Sequence, residues 1–252
     1  MQIGFIVPTY NERENIVDLV QQLLALPLNG QVIVVDDNSP DGTGQLVEEM
    51  KANYERLQVI HRPKKLGLGT AHIAGITYAL AQEAEYVLTM DADFSHHPKY
   101  IPAMLELAQS YHVVIGSRYT PGGGVENWGM NRRILSLGAN RLTRLVLGLK
   151  VHDCTAGFRC YRREVLLNID LEHIFSDGYS FLLEMAYRCQ QLGCVFGETP
   201  IIFANRARGD SKISQKEIFK AMYTVLRLGA TRLLFRRAKT VSIAPVRKNL
   251  SR

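Results

Sequence analysis

The 252-residue chain has no apolar run near the roughly 20 residues that a membrane-spanning helix needs. Its first residues, MQIGFIVPTYNE, lack a basic segment and a small-residue cleavage site, so no signal peptide is expected. Cys154, Cys160, Cys189 and Cys194 show no zinc-ligand spacing and read as reduced packing residues of a cytosolic chain. No internal repeat, low-complexity segment or sharp linker divides the sequence. No Ser/His/Asp set suggests a covalent nucleophile. No glycine-rich phosphate loop follows the first apolar run, where VPTYNE stands instead. These absences exclude a helical membrane protein, a disulfide scaffold and a dinucleotide-fingerprint enzyme.

Charge is present but uneven. The net value is +6, yet from Arg206 onward 13 Lys/Arg stand against 2 Asp/Glu, a surplus of +11, while the rest of the chain carries −5. Basicity belongs to the tail and points to an anionic partner, with a membrane surface and nucleic acid both open on charge alone.

Hydrophobic content of 46% supports a sizeable core. Short β-rich runs (QIGFIV, QVIVVDD, LQVIH, YVLTM, HVVIGS) alternate with helical periodicity, as in Ile16, Leu19, Val20, Leu23 and Leu24. That order predicts an α/β fold, a mostly parallel sheet with helices on both faces. Beyond Arg118 come a glycine-rich loop, a helix from about Asn131 to Leu147 bearing Arg132, Arg133, Arg141 and Arg144, and a late strand in CVFGETPIIF. The tail from Gln215 reads as an amphipathic helix, with Ile218, Met222, Val225, Leu226 and Leu233 able to share a face. Such a helix packs on the core with a basic outer face, or lies at a membrane interface.

In parallel α/β sheets, ligands bind beyond the carboxyl ends of the strands. Polar clusters stand at four such ends: Tyr10, Asn11 and Glu12; Asp36 and Asp37; Asp91 and Asp93; and Arg118. Neighbouring carboxylates repel unless a cation or a hydrogen-bonding ligand shares the site. Asp91-Ala92-Asp93 suits a hard divalent ion, Mg²⁺ or Mn²⁺, although an isolated Asp-x-Asp reads equally as a turn. Asp36 and Asp37 suit a base N–H or a ribose hydroxyl, or a capping role shared with Asp41. Gly67-Leu68-Gly69 reads as a tight turn, and His96 and His97 as surface residues.

The segments VPTYNERENI, VIVVDDNSPDGT, LGLGTA, MDADFSHHP, GSRY, TAGFRCYRREVL and RARGDSK, in this order, resemble the inverting glycosyltransferases of the GT-A fold. The resemblance is closest to the dolichyl-phosphate (polyprenyl-phosphate) mannosyltransferase catalytic subunits and spans roughly Ile3 to Lys212. It implies transfer of mannose from GDP-mannose to a polyprenyl phosphate by a metal-dependent single displacement. Pro8, Tyr10, Glu12, Val35 and Asp37 match nucleotide-binding positions, and Asp91 and Asp93 the metal pair, with Ala92 against the nucleotide. Arg118, Arg206 and Lys212 match cations that meet donor and acceptor phosphates, with Arg132 or Arg133 on the acceptor side. Asp93, Arg118, Arg206 and Lys212 are thereby the expected catalytic set. One departure concerns the metal: Ser95 stands where many membrane-spanning relatives carry a Gln that helps hold it.

The implied division is a glycosyltransferase domain over residues 1–212 and a basic amphipathic segment over 213–252. The implied location is cytoplasmic and peripheral at the cytoplasmic face of a membrane. Expected partners are GDP-mannose, the membrane-borne polyprenyl phosphate and small membrane-protein subunits, with no nucleic acid. Rival readings are UDP-glucose:polyprenyl-phosphate glucosyl transfer, a sugar-1-phosphate nucleotidyltransferase and a nucleic-acid-binding module.

Overall fold

A computed structural model of the protein describes residues 1–204 and 215–234. The N-terminal half runs β1 (Ile3–Thr9), α1 (Arg13–Ala25), β2 (Gly30–Asp36), α2 (Thr43–Lys51), β3 (Leu57–His61), α3 (Leu68–Ala81) and β4 (Tyr86–Thr89). A 3-10 turn, Pro98–Tyr100, then leads to α4 (Ile101–Ala108), β5 (Val113–Ser117), β6 (Gly124–Val125) and α5 (Met130–Leu147). The remainder is β7 (Arg159–Arg162), α6 (Arg163–Leu167), α7 (Ser180–Gln191), β8 (Phe196–Pro200), β9 (Ile202–Phe203) and α8 (Gln215–Leu234). Among the described residues no helix is long and apolar enough to cross a membrane.

The central sheet has seven strands in the order β3-β2-β1-β4-β7-β5-β8, and β6 pairs with β9 in a separate two-stranded sheet. Among the described strands of the large sheet only β7 runs antiparallel, against both β4 and β5. The period of two along each strand feeds two cores. Ile6, Ile33 and Val35 pack with α3 and α7 on one face; Phe5, Val7, Val32 and Val34 pack with α1 and α4 on the other. Helix α3 rides close on β1 because Gly75 has no side chain: a Cβ there would stand 2.4 Å from Ile6 Cγ2. The α/β architecture with helices on both faces is the one the sequence predicts.

Strand β7 is among the elements that sequence periodicity misses, as are α6 and α7. It opens on Arg159, and a charged residue argues against a buried strand because an unpaired charge is costly to desolvate. The fold satisfies this one with carbonyls: Nε donates to Ala156 O and Nη2 to Cys154 O, each at 2.8 Å. Nη1 donates to Leu182 O at 2.8 Å, tying β7 to α7. The four cysteines are all free and buried, as expected of packing residues.

His72, on α3, is fully buried, stacks on Phe181 with ring centroids 5.5 Å apart, and has no hydrogen-bond partner among the described residues at either ring nitrogen. Burial, with Arg159 and His96 nearby, pushes its pKa down to about 3. Between that value and the ordinary 6.5 the unfolded chain binds a proton that the native state refuses, so stability falls as pH falls. The slope from this residue is about 1.4 kcal/mol per pH unit below 6.5. His72→Phe is therefore expected to match the wild type near pH 7.5 and to exceed it by about 1.4 kcal/mol at pH 5.5. Urea midpoints at the two pH values measure this; an acid limb unchanged by the substitution would show that His72 does not carry it.

Candidate active site

Strands β1, β2 and β4 are parallel neighbours, so their carboxyl ends meet at one edge of the sheet. A cavity of about 390 Å³ opens there. Pro8, Tyr10 and Glu12 come to it from the end of β1, Asp37 from β2, and Asp91, Ala92 and Asp93 from β4. Seven residues singled out in the sequence thus share one cavity. Its other walls are Lys65 to Leu68, Asp177 to Tyr179, and Glu217 and Lys220 of α8.

The two β2 aspartates divide the work between them. Asp36 is a turn builder: it accepts from Thr9 Oγ1 at 2.9 Å and from the Ser39 N–H at 2.9 Å and Ser39 Oγ at 2.5 Å. Helix capping, expected of both, falls to Asp41, which accepts from the Thr43 N–H at 2.9 Å. Against partial burial, the Thr43 hydroxyl, donating at 2.6 Å, then the Thr43 N–H and the contacts to Arg13 hold the Asp41 carboxyl below its usual range. Asp37 is buried and pairs with Arg62 through Oδ1, while Oδ2 accepts from the N–H groups of Leu66 at 3.2 Å and Gly67 at 3.0 Å. The Gly67 region is therefore more than a tight turn. Its φ of +102° suits glycine, and it ties the start of α3 to the cavity floor.

The Asp91–Ser95 turn is built around a left-handed residue, Phe94, with φ +62°. Ser95 then folds back on Asp93, donating its N–H at 3.1 Å and its hydroxyl at 2.6 Å to Oδ1. Ser95 thus orients a carboxylate. His96 corrects the expectation of a surface residue. It is buried, its Nδ1 accepts from the Asp91 N–H at 3.0 Å, and its ring stacks on Phe158 at 5.2 Å. His97 is exposed, and its ring accepts from the Lys99 N–H at 3.1 Å.

Asp91 and Asp93 fit a hard divalent cation. They are two adjacent carboxylates at a strand end, both on the cavity wall. Among the described residues no three His, Cys, Asp or Glu side chains close into a metal cage. That donor set resembles sites where Mg²⁺ or Mn²⁺ keeps positions for water and phosphate oxygens.

Other expected residues lie elsewhere. Val35 is fully buried in the core on β2, and its side chain is not part of the cavity wall. Arg118 sits behind β5 in a buried bidentate pair with Asp153, Nε to Oδ2 and Nη2 to Oδ1 both at 2.7 Å. Nη2 also donates to Thr155 Oγ1 at 2.7 Å. Burial opposes these charges, but the pair outweighs it, holding Arg118 above and Asp153 below the usual range. Tyr119, Trp128 and Phe203 surround the guanidinium, with ring centroids 5.2, 5.7 and 5.3 Å from Cζ. Nη1 keeps two N–H groups with no protein partner among the described residues. Arg132 stacks over Trp128 at 4.0 Å, so Arg118 and Arg132 meet at one indole. Arg206 and Lys212 lie outside the described residues. Sequence reading missed Arg62, Asp153, Lys65, Asp177, Glu217 and Lys220; each is ordinary surface charge until the fold supplies its neighbour.

Helices α5 and α8 pack side by side near this site, with Arg232 Nη1 donating to Val146 O at 2.9 Å. Both expose large apolar residues. Ile134, Leu135, Leu142 and Leu145 on α5 and Ile218, Phe219, Met222 and Leu226 on α8 are exposed, from 52% at Met222 to 78% at Leu145. Asn140, Thr143 and Leu147 are the buried residues of α5, and Arg132, Arg133 and Arg141 share its exposed surface with the leucines.

Residues 5–169 match the sequence pattern of glycosyl transferase family 2. A polyprenol monophosphomannose synthase of Mycolicibacterium smegmatis is 43% identical over 226 residues, covering 89% of this chain and 85% of that protein. An undecaprenyl-phosphate mannosyltransferase of Micrococcus luteus is 40% identical over 229 residues, 91% of this chain and 94% of that one. In fold, the chain is similar to a glucosyl-3-phosphoglycerate synthase of Mycobacterium tuberculosis crystallised with Mn²⁺ and UDP. The TM-score is 0.63 at 18% identity, over 91% of this chain and 80% of the other.

Proposed function

This chain belongs to glycosyl transferase family 2, and from that premise we propose that it transfers mannose from GDP-mannose to a polyprenyl phosphate at a membrane surface. The relatives at 43% and 40% identity support a polyprenyl-phosphate mannosyltransferase. The observation that carries the lipid acceptor is the double role of α8. Glu217 and Lys220 line the donor cavity, while the neighbouring Ile218 and Phe219 are exposed beside it. A donor cavity that adjoins an exposed apolar face suits an acceptor that stays in the bilayer.

In this reading Asp91 and Asp93 hold Mg²⁺ or Mn²⁺. The ion supplies charge stabilisation for the departing nucleoside diphosphate. Ser95 and His96 fix the two carboxylates' turn through Asp93 Oδ1 and the Asp91 N–H. Tyr10, Glu12 and Asp37 form the nucleoside end of the cavity, with Pro8 and Ala92 beside it. The attacking atom is a phosphate oxygen, anionic at neutral pH, so no general base is required. Two anions must instead be brought together, and arginine suits that task. Arg118 offers its two remaining N–H groups there, Arg132 adds a second guanidinium, and Arg206 and Lys212 complete the set. Displacement in one step inverts the anomeric centre. The basic segment 213–252 is read as the part that meets the membrane or a membrane-protein subunit, on the cytoplasmic side where nucleotide sugars are found.

Incubation with radiolabelled GDP-mannose, Mg²⁺ and a short polyprenyl phosphate is expected to give labelled, acid-labile lipid. UDP-glucose in its place is expected to give none. Lipid labelled only from UDP-glucose would overturn the donor assignment and leave the acceptor standing.

A further inference from the structure

The cavity wall is strongly acidic: Glu12, Asp37, Asp91, Asp93, Asp177 and Glu217 all contribute to it. Two lysines face them among the described residues. Lys220 is spent, with its ammonium 2.9 Å from Asp177 Oδ2 and 3.3 Å from Glu217 Oε1. Lys65 is different. It is exposed on the cavity rim, its Nζ lies 3.8 Å over the Tyr10 ring centroid, and it has no carboxylate partner among the described residues. A cation held only by an aromatic face keeps its hydrogen-bonding capacity for a ligand.

Asp37 holds the backbone that follows Lys65. The next two residues, Leu66 and Gly67, both donate their N–H groups to Asp37 Oδ2. Arg62 takes one of the sites on Oδ1. A carboxylate has about four acceptor sites, so Asp37 has one left. That is enough for one base N–H and too little to read a whole base edge. The group beside it that can read the rest is the Lys65 ammonium.

We infer that Lys65 is a specificity-determining residue that reads the acceptor edge of a keto purine, completing at O6 and N7 the contact that Asp37 begins at a base N–H. This deepens the proposed function and rests on its guanine-nucleotide donor. Guanine presents acceptors at O6 and N7, whereas adenine presents an N6 amino donor that faces an ammonium unfavourably. Tyr10 is the platform from which the lysine moves: leaving the ring gives up a weak exposed cation–π contact for a charged hydrogen bond, which is stronger.

The test is calorimetric titration of the full-length chain with GDP, IDP and ADP in the presence of Mn²⁺. IDP keeps O6 and N7 but lacks the 2-amino group. Wild type is expected to bind GDP and IDP at least ~10-fold more tightly than ADP. Lys65→Met, which keeps the stem without the charge, is expected to weaken GDP and IDP by about 10-fold or more and to leave ADP unchanged, while Lys65→Arg retains the preference. Melting temperatures serve as the folding control, since the side chain is exposed. If Lys65→Met weakens all three nucleotides equally, the lysine meets the diphosphate and the inference is overturned; so it is if the variant keeps the wild-type preference for GDP. A wild type that does not prefer GDP to ADP overturns the donor assignment itself, and the inference with it.

Discussion

Asp91→Asn and Asp93→Asn are each expected to lower kcat for mannosyl transfer by about 10³-fold or more, on the order of 4 kcal/mol of transition-state stabilisation. The motivation is geometric. Both carboxylates line the cavity at the end of β4, and the turn that carries them is held by Ser95 and by His96. Asparagine keeps the size of each side chain and one acceptor oxygen, so the turn survives while the charge that holds a divalent ion is lost. Two measurements separate loss of chemistry from loss of fold. Melting temperature is expected to shift little for Asp91→Asn, whose side chain is partly exposed, and more for Asp93→Asn, which is buried against Ser95. Mn²⁺ binding in the presence of GDP is expected to weaken in both. Near-normal turnover by either variant with a chelator present would falsify the metal role.

The sequence reaches these carboxylates because strand ends in a parallel sheet are predictable in kind. Apolar runs that stop at Thr9, Asp36 and Thr89 put their next residues on one edge, whatever the details of packing. Tyr10, Glu12, Asp37, Asp91 and Asp93 therefore meet in one cavity. Partners that come from loops are another matter. Arg62 and Asp37 are 25 residues apart, and Arg118 and Asp153 are 35 apart, and neither pair follows a period that marks it. His96 reads as surface because an exposed and a buried histidine look alike beside a proline; the Phe158 ring that covers it arrives from the residue just before β7, which periodicity does not reveal. The tail shows a different limit. A core-packing helix and an interfacial helix look like alternatives in sequence, and α8 has both features. Thr224, Val225 and Leu228 are buried, while Ile218, Phe219, Met222 and Leu226 are exposed. Helix α5 is expected from the sequence, with Arg132 or Arg133 on the acceptor side, but which of its faces packs is not. The fold buries Asn140, Thr143 and Leu147 and leaves Ile134, Leu135, Leu142 and Leu145 exposed.

Those exposed residues lead to the second large effect: replacing Leu135 and Leu145 on α5 and Phe219 and Leu226 on α8 together with glutamate is expected to abolish binding to anionic vesicles. Monomeric proteins seldom expose contiguous apolar patches of this kind without a use for them. Burying an exposed leucine or phenylalanine contributes about 1.5–3 kcal/mol, so half-buried at an interface the four still contribute several. Helix α5 carries four arginines and no acidic residue, and each Lys/Arg near an anionic leaflet adds about 1 kcal/mol. Glutamate removes the apolar term and adds repulsion. All four positions are more than half exposed, so the fold is expected to persist, whereas removing α8 would uncover Val225 and Leu228 and confuse the two effects. Co-sedimentation with vesicles containing phosphatidylglycerol, at low and at high salt, is the measurement. The wild type is expected to sediment at low salt and partly at high salt, because the apolar contribution is not screened. The variant is expected to remain in the supernatant in both. It should keep GDP binding and lose transfer to polyprenyl phosphate in vesicles, while still using a short acceptor dispersed in detergent. A variant that sediments like the wild type would mean that the two helices meet something other than lipid, and a membrane-protein subunit would then be the occupant to seek on this face.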